Sequence, residues 1–120
     1  MPDPRRSLGV AGEDLVAERY LGAGYTVLDR NWRCREGELD LVVTLGNTLV
    51  FCEVKTRRGS HYGAPFEAVT LAKQRRLRTL ALRWLAAHPG AGSRELRFDV
   101  ASVLAVRGQR PEVEVIEAAF

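Results

Sequence analysis

Two different spacings of apolar positions alternate along this chain, and together they predict its elements. From about Leu8 to Leu21, the residues Glu13, Val16, Ala17 and Tyr20 fall at i, i+3, i+4 and i+7, the spacing of one helical stripe. Gly22-Ala23-Gly24 then supplies a stop. Tyr25–Asp29 reads as a short strand, and Glu38–Leu45 and Thr48–Lys55 as two more, separated only by Gly46-Asn47. Two such residues between apolar runs predict a tight hairpin. After the loop TRRGSHYGAP the helical period returns from about Phe66 to Ala87, with Val69, Lys73, Leu77, Leu80 and Trp84 on one stripe. Strands at Leu96–Val106 and Val113–Ala118 close the chain.

The predicted order is helix, three strands, helix, two strands. Strand Thr48–Lys55, the long helix and strand Leu96–Val106 form a crossover unit, which favours parallel pairing with a right-handed connection. The hairpin before it is antiparallel, so the expected fold is α/β, a mixed central sheet between helical layers. No repeat or domain linker interrupts it. One domain over 1–120 follows, with a core at about 9–106 and a C-terminal strand at 112–118.

The hairpin fixes which side chains are neighbours. If Gly46-Asn47 is a two-residue turn, Asp40 lies opposite Glu53 and Glu38 opposite Lys55. Strict alternation puts all four on one face, continued by Val42, Thr44, Leu49 and Phe51. The other face is then Leu39, Leu41, Val43, Leu45, Val50, Cys52 and Val54. Carboxylates opposed across a ladder repel unless something neutralises them. A divalent cation such as Mg²⁺ does so, and its remaining positions accept water and phosphate. A surface cluster in which Lys55 pairs with Glu38 and reaches Asp40 satisfies the same pattern.

Each helix adds one charge to its apolar stripe. Glu13 points with Val16, Ala17 and Tyr20 toward the sheet, either as a third acid of the cluster or as a helix-start glutamate favoured by the dipole. Lys73 either snorkels from the inward stripe of the second helix or holds a substrate phosphate.

Composition changes this reading in one respect. Eighteen Lys and Arg against fifteen Asp and Glu leave a net charge of only +3. Between Ala68 and Arg94, however, there is no acid, while Lys73, Arg75, Arg76, Arg78 and Arg83 all fall there. A basic helix on a near-neutral domain suits a polyanion, or is simply a solvated face. Cys34 and Cys52 with His61 and His88 make a poor zinc set. The N-terminus lacks the apolar stretch of a signal peptide, and no apolar run reaches the ~20 residues of a membrane span. A cytoplasmic location, with no membrane partner, is the expectation.

The order Glu13, Asp40, Glu53-Val54-Lys55 resembles the PD-(D/E)XK nuclease superfamily, especially its Holliday-junction-resolvase-like branch. More closely, the chain is similar to the YraN-like family of small bacterial proteins. The segments that carry the likeness are GEDLVAERYL from Gly12, RNWR from Arg30, GELDLV from Gly37, VFCEVKTR from Val50, YGAPFEAV from Tyr62, Lys73 and RFDV from Arg97. They span about Gly9 to Leu104. Leu39 stands where many superfamily members have proline before the motif aspartate.

The resemblance implies an αβββαββ restriction-endonuclease-like three-layer sandwich and a Mg²⁺- or Mn²⁺-dependent endonuclease acting on DNA more than RNA, on branched or repair intermediates. It implies Asp40, Glu53, the Val54 backbone carbonyl and Glu13 as metal donors, with Lys55 positioning water and stabilising phosphate charge. Arg57, Arg58, Lys73, Arg75, Arg76 and Arg78 would contact phosphates. Glu38 would orient Lys55, and Asp99, flanked by Arg97, would be either a supporting group or a plain ion pair. A homodimer is a further expectation, since such resolvases usually act as dimers. A module that binds nucleic acid or a repair partner without cutting is the competing reading.

Overall fold

The computed structural model describes residues 4–58, 69–91 and 94–120. Helix α1 spans Pro4–Gly22, strands β1, β2 and β3 span Thr26–Cys34, Gly37–Leu45 and Thr48–Arg58, helix α2 spans Leu71–Ala87, and strands β4 and β5 span Glu95–Ala105 and Glu112–Ile116. The strands form one mixed sheet in the order β1-β2-β3-β4-β5, in which only β3 and β4 run parallel. This is the expected α/β sandwich. No helix among the described residues is long and apolar enough to cross a membrane.

The β2–β3 hairpin forms in the register its turn dictates, from Leu45–Thr48 to Leu41–Cys52. Gly46 sits at φ +58, the left-handed first position that a type II′ hairpin turn requires. Helix α2 starts later than its periodicity suggests. Thr70 is extended and its side chain accepts a hydrogen bond from the Lys73 amide, capping a helix that begins at Leu71. The expected start near Phe66 lies outside the described residues. Strand β1 runs five residues past its expected end at Asp29, because it follows β2 through two irregularities. The pairing register shifts between Val27 and Asp29, and Asn31 stands at φ +51. Asparagine tolerates that conformation better than most residues, so the strand kinks without ending.

Two apolar layers flank the sheet. On one side Val16, Ala17 and Tyr20 of α1 pack on Leu41, Val43, Val50, Cys52, Ala101 and Val103. On the other, Leu77, Leu80, Ala81 and Trp84 of α2 pack on Leu39, Val42, Leu49, Phe51 and Phe98. Phe51 stacks on Phe98 at 5.7 Å and meets Trp84 edge-on at 5.8 Å. Both stripes expected from the helical periods thus face the sheet.

Candidate active site

The acids gather where the β2–β3 ladder ends. Gly12 lies directly against β3, where any added Cβ would collide with the Thr56 hydroxyl, so glycine lets α1 approach the sheet closely at this point. The next residue, Glu13, is thereby half-buried over the strand ends. Carboxylate oxygens of Glu13, Glu38 and Asp40 all lie within 4.8 Å of one another. Asp40 Oδ2 also accepts a hydrogen bond from the Val54 amide at 2.8 Å, one step beyond the last ladder pair.

The expectation that Glu38, Asp40, Glu53 and Lys55 share one face does not hold. Leu39 packs with Val42, Leu49 and Phe51 in the α2 layer, whereas Leu41 and Val43 belong to the α1 layer. Alternation therefore inverts between Leu39 and Leu41, and it turns Glu38 and Asp40 toward α1. The inversion coincides with Asn31, which lies between the pairs Arg30–Leu41 and Trp32–Leu39 and so is level with Asp40. A left-handed residue there lets both paired strands reverse their facing together.

Glu53 and Lys55 continue the side of Leu49 and Phe51, toward α2. Their charged ends are 3.4 Å apart, with Lys55 Nζ on Glu53 Oε1. Lys73 of α2 meets this pair from above. The neighbouring Lys55 ammonium lowers its pKa below the usual lysine value, and the Glu53 charge partly offsets that. The geometry thus joins two half-sites across the open ladder end, with acids from α1 and β2 on one side and the Glu53–Lys55–Lys73 group on the other.

The two halves are electrostatically linked. Burial raises the Asp40 pKa to about 6. The Val54 hydrogen bond opposes the rise, and the charges of Glu13, Glu53 and Glu38 add to it. Burial likewise raises Glu13, against the pull of the Asn31 side chain and Arg30. Glu13 Oε2 and Glu53 Oε2 are both buried with no hydrogen-bond partner among the described residues. Unpartnered carboxylate oxygens on both sides of the ladder end, with Asp40 and Glu13 held above the usual carboxylate pKa, fit a hard divalent cation, which would supply the missing interaction.

The proposed phosphate contacts separate into three kinds. Arg58, Arg75 and Arg76 are exposed, and Arg57 is half-buried. Arg78 is exposed too, yet its guanidinium lies over the rings of Phe98 and Phe120, 4.9 and 5.5 Å from their centroids. Arg83 pairs with Glu36 at 3.2 Å.

Asp99 stands apart from the site. It is fully buried, and accepts from Tyr20 Oη at 2.7 Å, from Arg97 Nε and an Arg97 terminal nitrogen at 2.8 Å each, and from the Ala118 amide at 3.0 Å. Tyr20 makes it a tie between α1 and β4, beside Cys52, and the burial around it raises the pKa of both Tyr20 and Cys52.

Two site residues were not singled out from the sequence. Asn31 sits beside Glu13, and Arg33 pairs with Glu38 at 3.0 Å across the ladder. Arg33 would follow from knowing that β1 extends to Cys34. Asn31 carries only the general tendency of asparagine toward left-handed backbone.

Fold and site together define a restriction-endonuclease-like α/β domain with an acid-rich sheet end. The chain belongs to the family described as "Uncharacterised protein family UPF0102", whose model matches residues 12–103. It is 53% identical over 114 residues to a UPF0102 protein of Clavibacter michiganensis, spanning 95% of this chain and 96% of that one. It is 50% identical to a UPF0102 protein of Rhodococcus opacus and 54% identical to one of Frankia casuarinae, each over the same shares of both chains.

Proposed function

We propose that this protein is a divalent-metal-dependent nuclease that hydrolyses phosphodiester bonds in DNA. One observation carries the reading: Glu13, Glu38 and Asp40 converge within 4.8 Å, and Glu13 and Glu53 each keep a buried oxygen with no partner among the described residues. Asp40, Glu13 and Glu38, with Glu53 and the Val54 carbonyl across the gap, would hold Mg²⁺ or Mn²⁺. When bound, such a cation polarises a phosphoryl oxygen and lowers the pKa of water.

The protein's own groups would do the rest. Lys55, held against Glu53, meets the phosphate and offsets the negative charge that builds on it. Lys73 adds a second positive charge from the helix above. Lys55 would also position the attacking water, whose proton ends on the departing sugar oxygen. Water adds to phosphorus, the P–O bond to the leaving sugar breaks, and a phosphate monoester and a free hydroxyl remain. Arg75 and Arg76 on the acid-free helix, with Arg57 and Arg58 from β3, would hold neighbouring phosphates and give affinity without sequence information.

The test is cleavage of end-labelled oligonucleotides (duplex, flap, junction and single strand) with Mg²⁺ or Mn²⁺. Asp40→Asn and Lys55→Ala should each lower the rate at least 100-fold while circular dichroism stays unchanged. Undiminished cutting by either purified variant rejects the site. One contact favours a second reading: the Asp40–Val54 hydrogen bond gives Asp40 a purely structural use at the ladder end. A module that binds without cutting would cleave nothing with either metal, yet bind DNA with an affinity that falls steeply with salt.

A further inference from the structure

A cavity of about 380 Å³ opens beside the acids, lined by Gly9, Val10, Glu13, Asn31, Arg33 and Glu38. Its volume lies at the small end of the range for ligand pockets, roughly 300 to 1,000 Å³, enough for one nucleotide and too small for stacked base pairs. Its chemistry is mixed. Val10 is 47% exposed at its mouth and offers an apolar surface. Asn31 brings an amide that both donates and accepts. Arg33, with 74% of its side chain exposed, brings a guanidinium paired with Glu38.

The cavity lies on the α1 side of the sheet, with Glu13, Glu38 and Asp40. The cationic groups that would grip phosphate, Lys55 and Lys73, lie on the α2 side. A phosphodiester that entered between the half-sites with one neighbour in the cavity would send the other past Lys55 and Lys73, on the opposite side of the sheet end. A continuously stacked duplex cannot follow that path, because successive bases must stay in van der Waals contact.

We propose that the cavity receives a single unpaired nucleotide next to the scissile phosphate, so that the substrate is a strand locally out of the stack. The inference rests on the nuclease reading and adds the substrate class to it. Removing a base from a stack costs a few kcal/mol, least where the base is already unpaired. Arg33 releases Glu38 to the cation and turns to the nucleotide's far phosphate, Asn31 meets the base edge, and Val10 covers its ring.

Two measurements test this on the intact protein. Cleavage with Mn²⁺ is compared on a fully paired duplex and on the same sequence with one strand gapped. Binding of thymidine without metal, and of thymidine monophosphate with Mg²⁺, is read by NMR from the Val10 methyls and the Asn31 side-chain amide. The expected result is cleavage at least tenfold faster on the gapped substrate, with saturable nucleoside shifts at both residues. Val10→Trp, which fills the cavity, should reduce both the preference and the nucleoside affinity at least fivefold. Arg33→Ala, at an exposed position, should weaken the monophosphate more than thymidine and serves where Val10→Trp does not fold. Equal rates on both substrates, or shifts that avoid the cavity, overturn the proposal while leaving the nuclease intact. Saturable nucleoside binding in a protein that cuts nothing rejects the nuclease and keeps the pocket.

Discussion

Asp99 and the acids at the open end of the β2–β3 hairpin are treated in opposite ways by their surroundings. Asp99 is enclosed on all sides and has four donors within 3.0 Å, two of them from the charged Arg97 and one from the Ala118 amide nineteen residues onward. At the open end of the hairpin, Glu13 and Glu53 each bury an oxygen with no donor among the described residues, and Asp40 has one amide. A buried carboxylate is expensive unless compensated, and Asp99 is compensated by its own neighbours. The difference separates an acid that holds the fold together from the acids to which the proposed function gives a cation.

The largest effect should come from breaking the completed group. Asp99→Ala leaves Arg97 and Tyr20 facing each other without their acceptor. It should cost about 3–5 kcal/mol of unfolding free energy by urea titration, as removal of one member of a buried ion pair does. A loss below 1 kcal/mol would put Asp99 among the dispensable surface acids.

Asp40→Asn should do the reverse. With its pKa raised from 3.8 to about 6, Asp40 is most stabilising while protonated, below about pH 4, and that contribution is lost as pH rises through 6. At pH 7.5 without divalent ions the asparagine variant should therefore be more stable than the parent by about 2 kcal/mol. The gap should close near pH 4. Mg²⁺ should stabilise the parent and leave the variant unmoved. A variant less stable at pH 7.5 would show that Asp40 is already satisfied, and the contrast between the two groups would collapse.

Tyr20→Phe sharpens the comparison by removing one of four donors. A loss of about 1–2 kcal/mol is expected, well short of the Asp99→Ala cost, because a hydrogen bond to a charged group contributes that much when the remaining partners stay. Smallest of all, Arg83→Ala should change stability by less than about 1 kcal/mol, since the Arg83 side chain is 61% exposed and an ion pair open to solvent on one side contributes little. Thermal denaturation in parallel would rank the two.

Much of this was readable before any coordinates. A two-residue turn leaves a hairpin one economical register, so the pairing of Leu45 with Thr48 followed from Gly46-Asn47 alone. The helical stripes that carry Glu13 and Lys73 inward were equally plain, because 3.6-residue periodicity survives in the apolar neighbours on either side. The facing of Asp40 was not. It depends on Asn31 adopting a left-handed conformation in a different strand, a choice worth about a kcal/mol that no hydrophobic pattern records. Asp99 was ambiguous for a related reason. Its partners come from the first helix, its own strand and the end of the chain, and only the folded sheet brings these together.

The two breaks in β1 have a consequence at the margin of the sheet. An outermost strand ordinarily offers a straight row of free amides and carbonyls, on which another chain can nucleate a fibril. Here the register slip after Val27 and the twist at Asn31 interrupt that row, while the opposite margin is a five-residue strand, Glu112–Ile116, with glutamates at alternate positions. Neither border is an inviting template, so crowded newly made copies meet no ready seam along which to aggregate.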